Sequence, residues 1–329
     1  MDILGLAAAN LLSPPILFFA LGLGAGLVKS DLDVPESISR YLSIYLMMAI
    51  GFKGGTALAS VDALDWTMAY VMAAALAFSA LAPFPAFLAL RALSRLDAPT
   101  AAAVAAHYGS VSLVTFVTAV SFLEANGVPY QGYMPAVLAL MEAPAILTGL
   151  YIAHRAAPET IAVGDRTAGR LNREIFTNGA IMLLMGSFVI GLLTGESGAE
   201  KLGGFLVTPF QGVLSLFLLD LGLLVARQRG NMGALTAGLL AFGVVWPLLS
   251  ASAALAVAYA IGLDPGTGLL FVVLAASASY IAVPAAMRLA LPQARAAIYV
   301  PLSLGVTFPF NIVAGVPLYY AAAQAVLGS

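Results

Sequence analysis

Apolar positions along the 329 residues fall into runs of about twenty, and polar positions gather in the short stretches between them. A helix rises about 1.5 Å per residue, so a hydrocarbon layer roughly 30 Å thick needs about 20 apolar residues to cross. By that ruler the pattern predicts ten membrane spans, at residues 12–29, 38–58, 66–90, 98–124, 134–154, 175–195, 205–226, 234–262, 266–290 and 300–326. Asp2 is the only charge ahead of the first run, which lacks the basic flank of a cleaved signal and reads as a permanent span.

The polar stretches also give an orientation. Loops after spans 1, 3, 5, 7 and 9 carry Lys29, Arg40, Arg91, Arg95, Arg155, Arg166, Arg170, Arg173, Arg227, Arg229, Arg288 and Arg295. The opposite loops carry only Lys201. Twelve basic residues against one places the first set in the cytoplasm and both termini outside it, in the cell (inner) membrane. The expected organisation is all-α and polytopic: a first five-helix repeat at 1–154, a cytoplasmic linker at 155–174, and a second, inverted five-helix repeat at 175–329.

Composition narrows the chemistry. Hydrophobic residues are 61% and charged residues 9%, far below the quarter typical of soluble domains. There is no cysteine, which removes disulfides, thiolate metal sites and cysteine nucleophiles, and two histidines cannot build a multi-histidine metal centre.

Three matches in order relate the halves. Gly109-Ser110-Val111-Ser112 corresponds to Ala276-Ser277-Ala278-Ser279 at an offset of 167, and Ala145–Gly149 to Asn311–Gly315 at 166. Pro135 and Pro301 share the offset of 166. Inverted repeats with midplane sites are characteristic of secondary transporters.

Spans 4 and 9 hold the unusual residues. His107–Ser112 and the stretch from Ser277 to Pro284 combine glycine, serine and proline, which disfavour a helix interior. Both spans are expected to unwind near 107–112 and 277–284. The half-helix N-termini would then offer free N–H groups to an anion, and the opposing carbonyl ends would serve a cation. Gly109, Ser110, Ser112, Ser277 and Ser279 are therefore the candidate anion residues.

Three charged residues fall inside spans, where each costs at least about 2.5–3.5 kcal/mol. Glu142, followed by Ala143-Pro144, reads as the ligand of a coupling cation or as a proton acceptor. Lys53, within Gly51–Gly55, has three readings: an anion countercharge, a partner of Glu142, or a side chain snorkelling to the surface. Asp220 divides between coupling and a structural role near Arg227. His107 is a packing histidine whose place beside the break leaves proton relay open.

Pro35–Ile38, Gly51 with Gly54-Gly55, the Gly109-Ser110 break, Glu142-Ala143-Pro144 and the Ala275–Pro284 segment together resemble the sodium-dependent bicarbonate transporters, in order and spacing, over residues 12 to 326. The resemblance implies ten helices in a five-plus-five inverted repeat and a homotrimer. It implies bicarbonate held between broken spans 4 and 9, a sodium ion beside it, and inhibition by a PII-like protein from the cytoplasmic side. Cyanobacterial members carry an aspartate where this chain has Tyr280, and they lack a lysine at the place of Lys53. Both changes weaken a sodium site. The leading reading is sodium-coupled bicarbonate uptake, and the next is a proton- or sodium-coupled carrier of another small anion. An intramembrane hydrolase built on His107 and Ser110 lacks a third group to orient the base, and a non-transporting sensor would bind without flux.

Single cysteines at residues 2 and 165 test the orientation. An impermeant thiol reagent should label the first and spare the second in intact cells; labelling of residue 165 from outside would overturn it.

Overall fold

A computed structural model describes residues 12–59, 66–157, 179–227, 230, 233, 235–280 and 282–328. Asp2, Arg229 and most of the expected 155–174 linker, with Arg166, Arg170 and Arg173, lie outside the described residues. Every regular element among them is helical: α1 (Pro14–Leu27), α2 (Glu36–Ala59), α3 (Trp66–Leu81), α4 (Pro83–Leu93), α5 (Ala98–Gly109), α6 (Leu113–Ala125) and α7 (Met134–Ala156). They continue with α8 (Gly179–Leu206), α9 (Phe210–Arg227), α10 (Ala237–Ile261), α11 (Pro265–Ala276), α12 (Ala282–Ala290) and α13 (Ala296–Leu327).

Among the described residues six segments are long and apolar enough to cross a membrane: Trp66–Leu93, Ala98–Ala125, Met134–Ala156, Phe210–Arg227, Ala237–Ile261 and Ala296–Leu327. Pro14–Leu27 and Pro265–Ala276 are apolar but shorter. Helix α8 bends at Gly195, whose φ of 53° suits a residue without Cβ. Helix α13 passes through two π-turns, Ser303–Thr307 and Asn311–Gly315.

The helices sort into two groups by packing. In one, α2 lies along α8 and α1 along α9, with α9 also touching α2. In the other, α5 packs on α7 and α4, α11 packs on α10 and α13, and α6 crosses α11. Glycine sets the first group. A Cβ on Gly55 would come 2.0 Å from the Phe188 carbonyl oxygen, and one on Gly191 would come 2.3 Å from that of Phe52. Gly22 and Gly222 make the same reciprocal contact between α1 and α9, against Leu219 and Phe19. Backbones approach this closely only where side chains are absent, and dispersion then acts across the whole helix face.

Local signals fix the starts of the second group. Asp97 accepts the Thr100 amide at 2.8 Å and Asp264 accepts that of Thr267 at 2.9 Å, so α5 and α11 carry matching N-caps. Each threonine then ties down the opposite half: Thr100 Oγ1 accepts the Arg295 amide at 3.1 Å, and Thr267 Oγ1 accepts that of Gln131 at 3.0 Å. Burial pushes the Asp97 carboxyl up, but the Thr100 bonds and the nearby Arg295 charge outweigh it and hold it below its ordinary value. Ion pairs join the basic loops in pairs, Arg295 with Asp97 at 3.1 Å and Arg227 with Asp33.

Burial separates the spans by role. Of the most apolar stretch of Ala98–Ala125, 94% is buried, against 33% for Ala237–Ile261. The first is enclosed by protein, and the second faces the surroundings. Alanine at 101, 102, 103, 105 and 106 makes that enclosure possible by keeping α5 thin.

The glycine contacts yield a direct check. Gly55→Ala should destabilise the detergent-solubilised protein by about 1–3 kcal/mol through overpacking, read as a lower melting temperature. Gly24→Ala, whose added Cβ meets nothing within 4 Å, should melt with the unsubstituted chain.

Candidate functional site

Both expected interruptions are present, and their limits are narrower than the sequence suggests. His107, Tyr108 and Gly109 are still helical; the chain leaves α5 at Ser110 (φ −89°, ψ −179°) and re-enters helix at Leu113 after Ser112. In the second half it leaves α11 at Ser277 (φ −87°, ψ 171°) and re-enters at Ala282. Pro284 does not break the chain. It lies in the first turn of α12, where a missing amide costs nothing.

The two breaks bond to each other. The Ser112 amide donates to Ser277 Oγ at 2.9 Å, and the Ser279 amide donates to the His107 carbonyl at 2.9 Å. Ser277 Oγ in turn donates to the Leu274 carbonyl at 2.9 Å. Its hydrogen and its lone pair both serve the protein, which makes Ser277 a clasp between the breaks. Ser112 Oγ caps α6, accepting the Thr115 amide at 3.2 Å and the Thr115 hydroxyl at 2.9 Å. Its own hydrogen is left over. Ser279 Oγ accepts the Val283 amide at 3.3 Å, and Ser110 Oγ reaches the Glu142 carbonyl only at 3.4 Å. Ser110 spends its hydrogen on that long bond, while among the described residues the hydroxyl hydrogens of Ser112 and Ser279 meet no carbonyl and remain for a ligand. All three are buried.

Gly109 brings the site's wall in close. A Cβ there would lie 2.5 Å from the Pro83 ring and 3.1 Å from the Ala145 side chain. Tyr108 anchors the end of α5: its hydroxyl meets Thr307 Oγ1 at 2.5 Å, and Thr307 donates onward to the Gly243 carbonyl at 2.7 Å. Since Thr307 has one hydrogen, Tyr108 is the donor to it.

Glu142 stands beside the first break through that carbonyl contact with Ser110. Among the described residues no ion pair or hydrogen bond meets its carboxylate, which lies half-buried within α7. An uncompensated carboxylate inside a membrane span is a functional pointer by itself. No group of three His, Asp or Glu among the described residues could hold a metal ion, so a cation here would rest on carbonyl and hydroxyl oxygens with Glu142.

The remaining candidates are placed elsewhere. Lys53 pairs with Glu124, not Glu142: its Nζ lies 2.5 Å from Glu124 Oε1 and 5.2 Å from the Phe210 ring centre. Tyr130 donates to the same carboxylate oxygen at 3.2 Å. Glu124 closes the far end of α6, so the ammonium is kept away from the breaks. Asp220, on α9, lies near Ser39, Arg227 and Asp33, at the basic-loop end of the first group. His107 donates from Nδ1 to the Ala103 carbonyl at 2.7 Å and lies against Tyr299 with ring centres 4.6 Å apart. What it brings to the breaks is its backbone carbonyl. Among the described residues no hydrogen bond joins its side chain to Ser110, so the hydrolase reading gains no support from the geometry.

Asn311 belongs to the site and went unread in the sequence. It donates from Nδ2 to the Ala276 carbonyl at 2.9 Å and accepts the Tyr319 hydroxyl at 2.9 Å, so it satisfies the end of α11. An asparagine deep in an apolar span was the available signal.

Ser277→Ala should strand the Ser112 amide and cost about 1–3 kcal/mol of stability, the penalty of an unsatisfied buried donor. Ser279→Ala removes only a cap, worth about 1 kcal/mol. Melting temperatures that fall in the reverse order would refute the clasp.

No curated protein is significantly similar to the chain. A family model does match, and it covers residues 14–324. With both breaks, their clasp and the matching caps inside that range, the chain belongs to the Na+-dependent bicarbonate transporter superfamily.

Proposed function

We propose that the chain is a secondary active transporter that carries bicarbonate into the cell together with sodium. The observation that carries this reading is the crossover itself. Two helix breaks face each other, the buried hydroxyls of Ser112 and Ser279 keep donors there, and one uncompensated carboxylate lies a helix away. Donors directed at one point in a water-poor interior select an anion. A carboxylate and loose carbonyl ends beside it supply the complementary place for a cation, and charge neutralisation couples the two.

The packing supports an inverted repeat of five spans in each half. If α1 and α2 correspond to α8 and α9, a two-fold axis exchanges the α1–α9 contact with the α2–α8 contact, and both contacts use reciprocal glycines. The Asp–Thr caps of α5 and α11, separated by 167 positions, obey the same relation. Ten spans, external termini, a homotrimer and regulation by a PII-like protein on the cytoplasmic side complete the reading, on the strength of family membership. Lys53 and Asp220 serve the scaffold in this scheme.

A second reading replaces the coupling ion or the anion. It is favoured by Tyr280, a neutral side chain where cyanobacterial members hold an aspartate. Uptake of labelled bicarbonate into proteoliposomes, driven by a sodium gradient, a proton gradient or neither, separates the two. Uptake that needs sodium supports the first scheme, and uptake driven by protons alone supports the second. In either case Glu142→Gln should abolish dependence on the driving cation while the protein still folds and assembles. Unchanged cation dependence in that variant would remove Glu142 from the mechanism.

A further inference from the structure

The hydroxyl of Tyr280 has no assigned role, and its surroundings give it one. Tyr280 lies in the second break, between α11 and α12, with its ring edge-on to Phe308 at a centre distance of 5.1 Å. Its oxygen is shielded from solvent and completes no hydrogen bond among the described residues. Beside it lies the side chain of Ser112, the N-cap of α6. Ser112 cannot accept the phenol hydrogen, because both lone pairs of its Oγ already receive Thr115. If Ser112 donates to the phenol oxygen instead, the phenol hydrogen is still left over. Each arrangement ends with an uncommitted O–H donor beside Ser112, at the N-terminus of α6.

A buried donor without an acceptor is costly, and a native structure retains one only for a reason. The groups around it narrow that reason. Ser112 and Ser279 contribute hydroxyl hydrogens and the first turn of α6 contributes amides, while the one carboxylate nearby, Glu142, belongs to α7 and reaches the break through its backbone carbonyl on Ser110. Donors on the Tyr280 side of the crossover suit an anion rather than a cation. A small oxyanion finds several donors, and its oxygen supplies the acceptor that Tyr280 lacks.

We infer that Tyr280 is a direct ligand of the transported anion and a determinant of the site's selectivity, its phenol hydrogen bonding to an anion oxygen. The inference rests on the anion-transport reading above. It assigns the position to anion recognition and leaves the coupling cation to Glu142 and the carbonyl ends.

Tyr280→Phe keeps the ring on Phe308 and deletes only the hydroxyl. Without anion, the variant should melt at the same temperature as the unsubstituted protein or above it, since an unpaired buried donor has gone. A lower melting temperature would show that the hydroxyl serves the fold and would overturn the inference. In proteoliposomes the KM for bicarbonate should rise roughly 2- to 13-fold, the equivalent of one net hydrogen bond, with the sodium concentration for half-maximal uptake unchanged. An unchanged bicarbonate KM in a functional variant overturns the ligand assignment alone. Absence of bicarbonate uptake or binding by the unsubstituted protein overturns the transport reading and this inference with it. Tyr280→Asp completes the set: repulsion should weaken bicarbonate further while sodium saturates at lower concentration. Tighter bicarbonate binding in that variant would also refute the assignment.

Discussion

A peptide group that leaves a helix inside a membrane has no water to turn to, and everything about the crossover follows from that. Four carbonyls are orphaned where a helix stops and four amides where the next one starts, so two interrupted spans place many unpaired groups at mid-depth. This chain answers by making each break the partner of the other. Ser112 bonds to Ser277, Ser279 bonds to His107, and Asn311 takes the Ala276 carbonyl. The remaining donors are the ones a ligand can use. Enclosure is the second requirement, and an alanine-rich α5 with a fully buried α11 meets it, because thin helices let neighbours close around the unwound segments. The lipid-facing work then falls to helices such as α10.

Much of this was legible in the sequence, because runs of apolar residues and clusters of helix-breaking residues act locally. The positions of the helices follow the apolar runs, and the serine clusters at 110–112 and 277–279 mark where backbone leaves helix. Pro284 misled at the margin: proline disfavours a helix interior but starts one easily, and the sequence does not say which side of the break it lies on. Asn311 has no counterpart of its own kind in the repeat, since Ala145 is apolar and the two segments share only an isoleucine and the closing glycine. The caps Asp97–Thr100 and Asp264–Thr267 were readable as a repeated pattern, but their threonine bonds to Arg295 and Gln131 are tertiary and have no local signature. Lys53 was the hardest. A charge in a span asks for a partner, and Glu124, 71 positions away at a helix end, can be chosen over Glu142 only in three dimensions.

That pairing shows how the two helix groups are held. Within the first group, glycines 22, 55, 191 and 222 bring backbones into contact, and no small displacement preserves such contacts. Between the groups polar ties accompany close packing, since a Cβ on Gly54 of α2 would come 2.6 Å from the Pro135 ring on α7. Lys53 on α2 meets Glu124 on α6, and Ser121 on α6 donates to Gln211 on α9 at 3.0 Å. The Lys53 and Glu124 side chains are 22% and 32% exposed, between a surface pair and a buried one. A partly solvated pair contributes on the order of 1 kcal/mol, because water compensates both charges when it opens. Rocking one bundle against another is the usual route to alternating access, and it requires rigid units joined by contacts cheap to break. Glycine packing supplies the rigidity, and the partly exposed Lys53–Glu124 pair is a boundary contact that water can replace. In the proposed scheme the Lys53 ammonium is spent on Glu124, a scaffold role, and recognition of the anion falls to the neutral donors of the crossover.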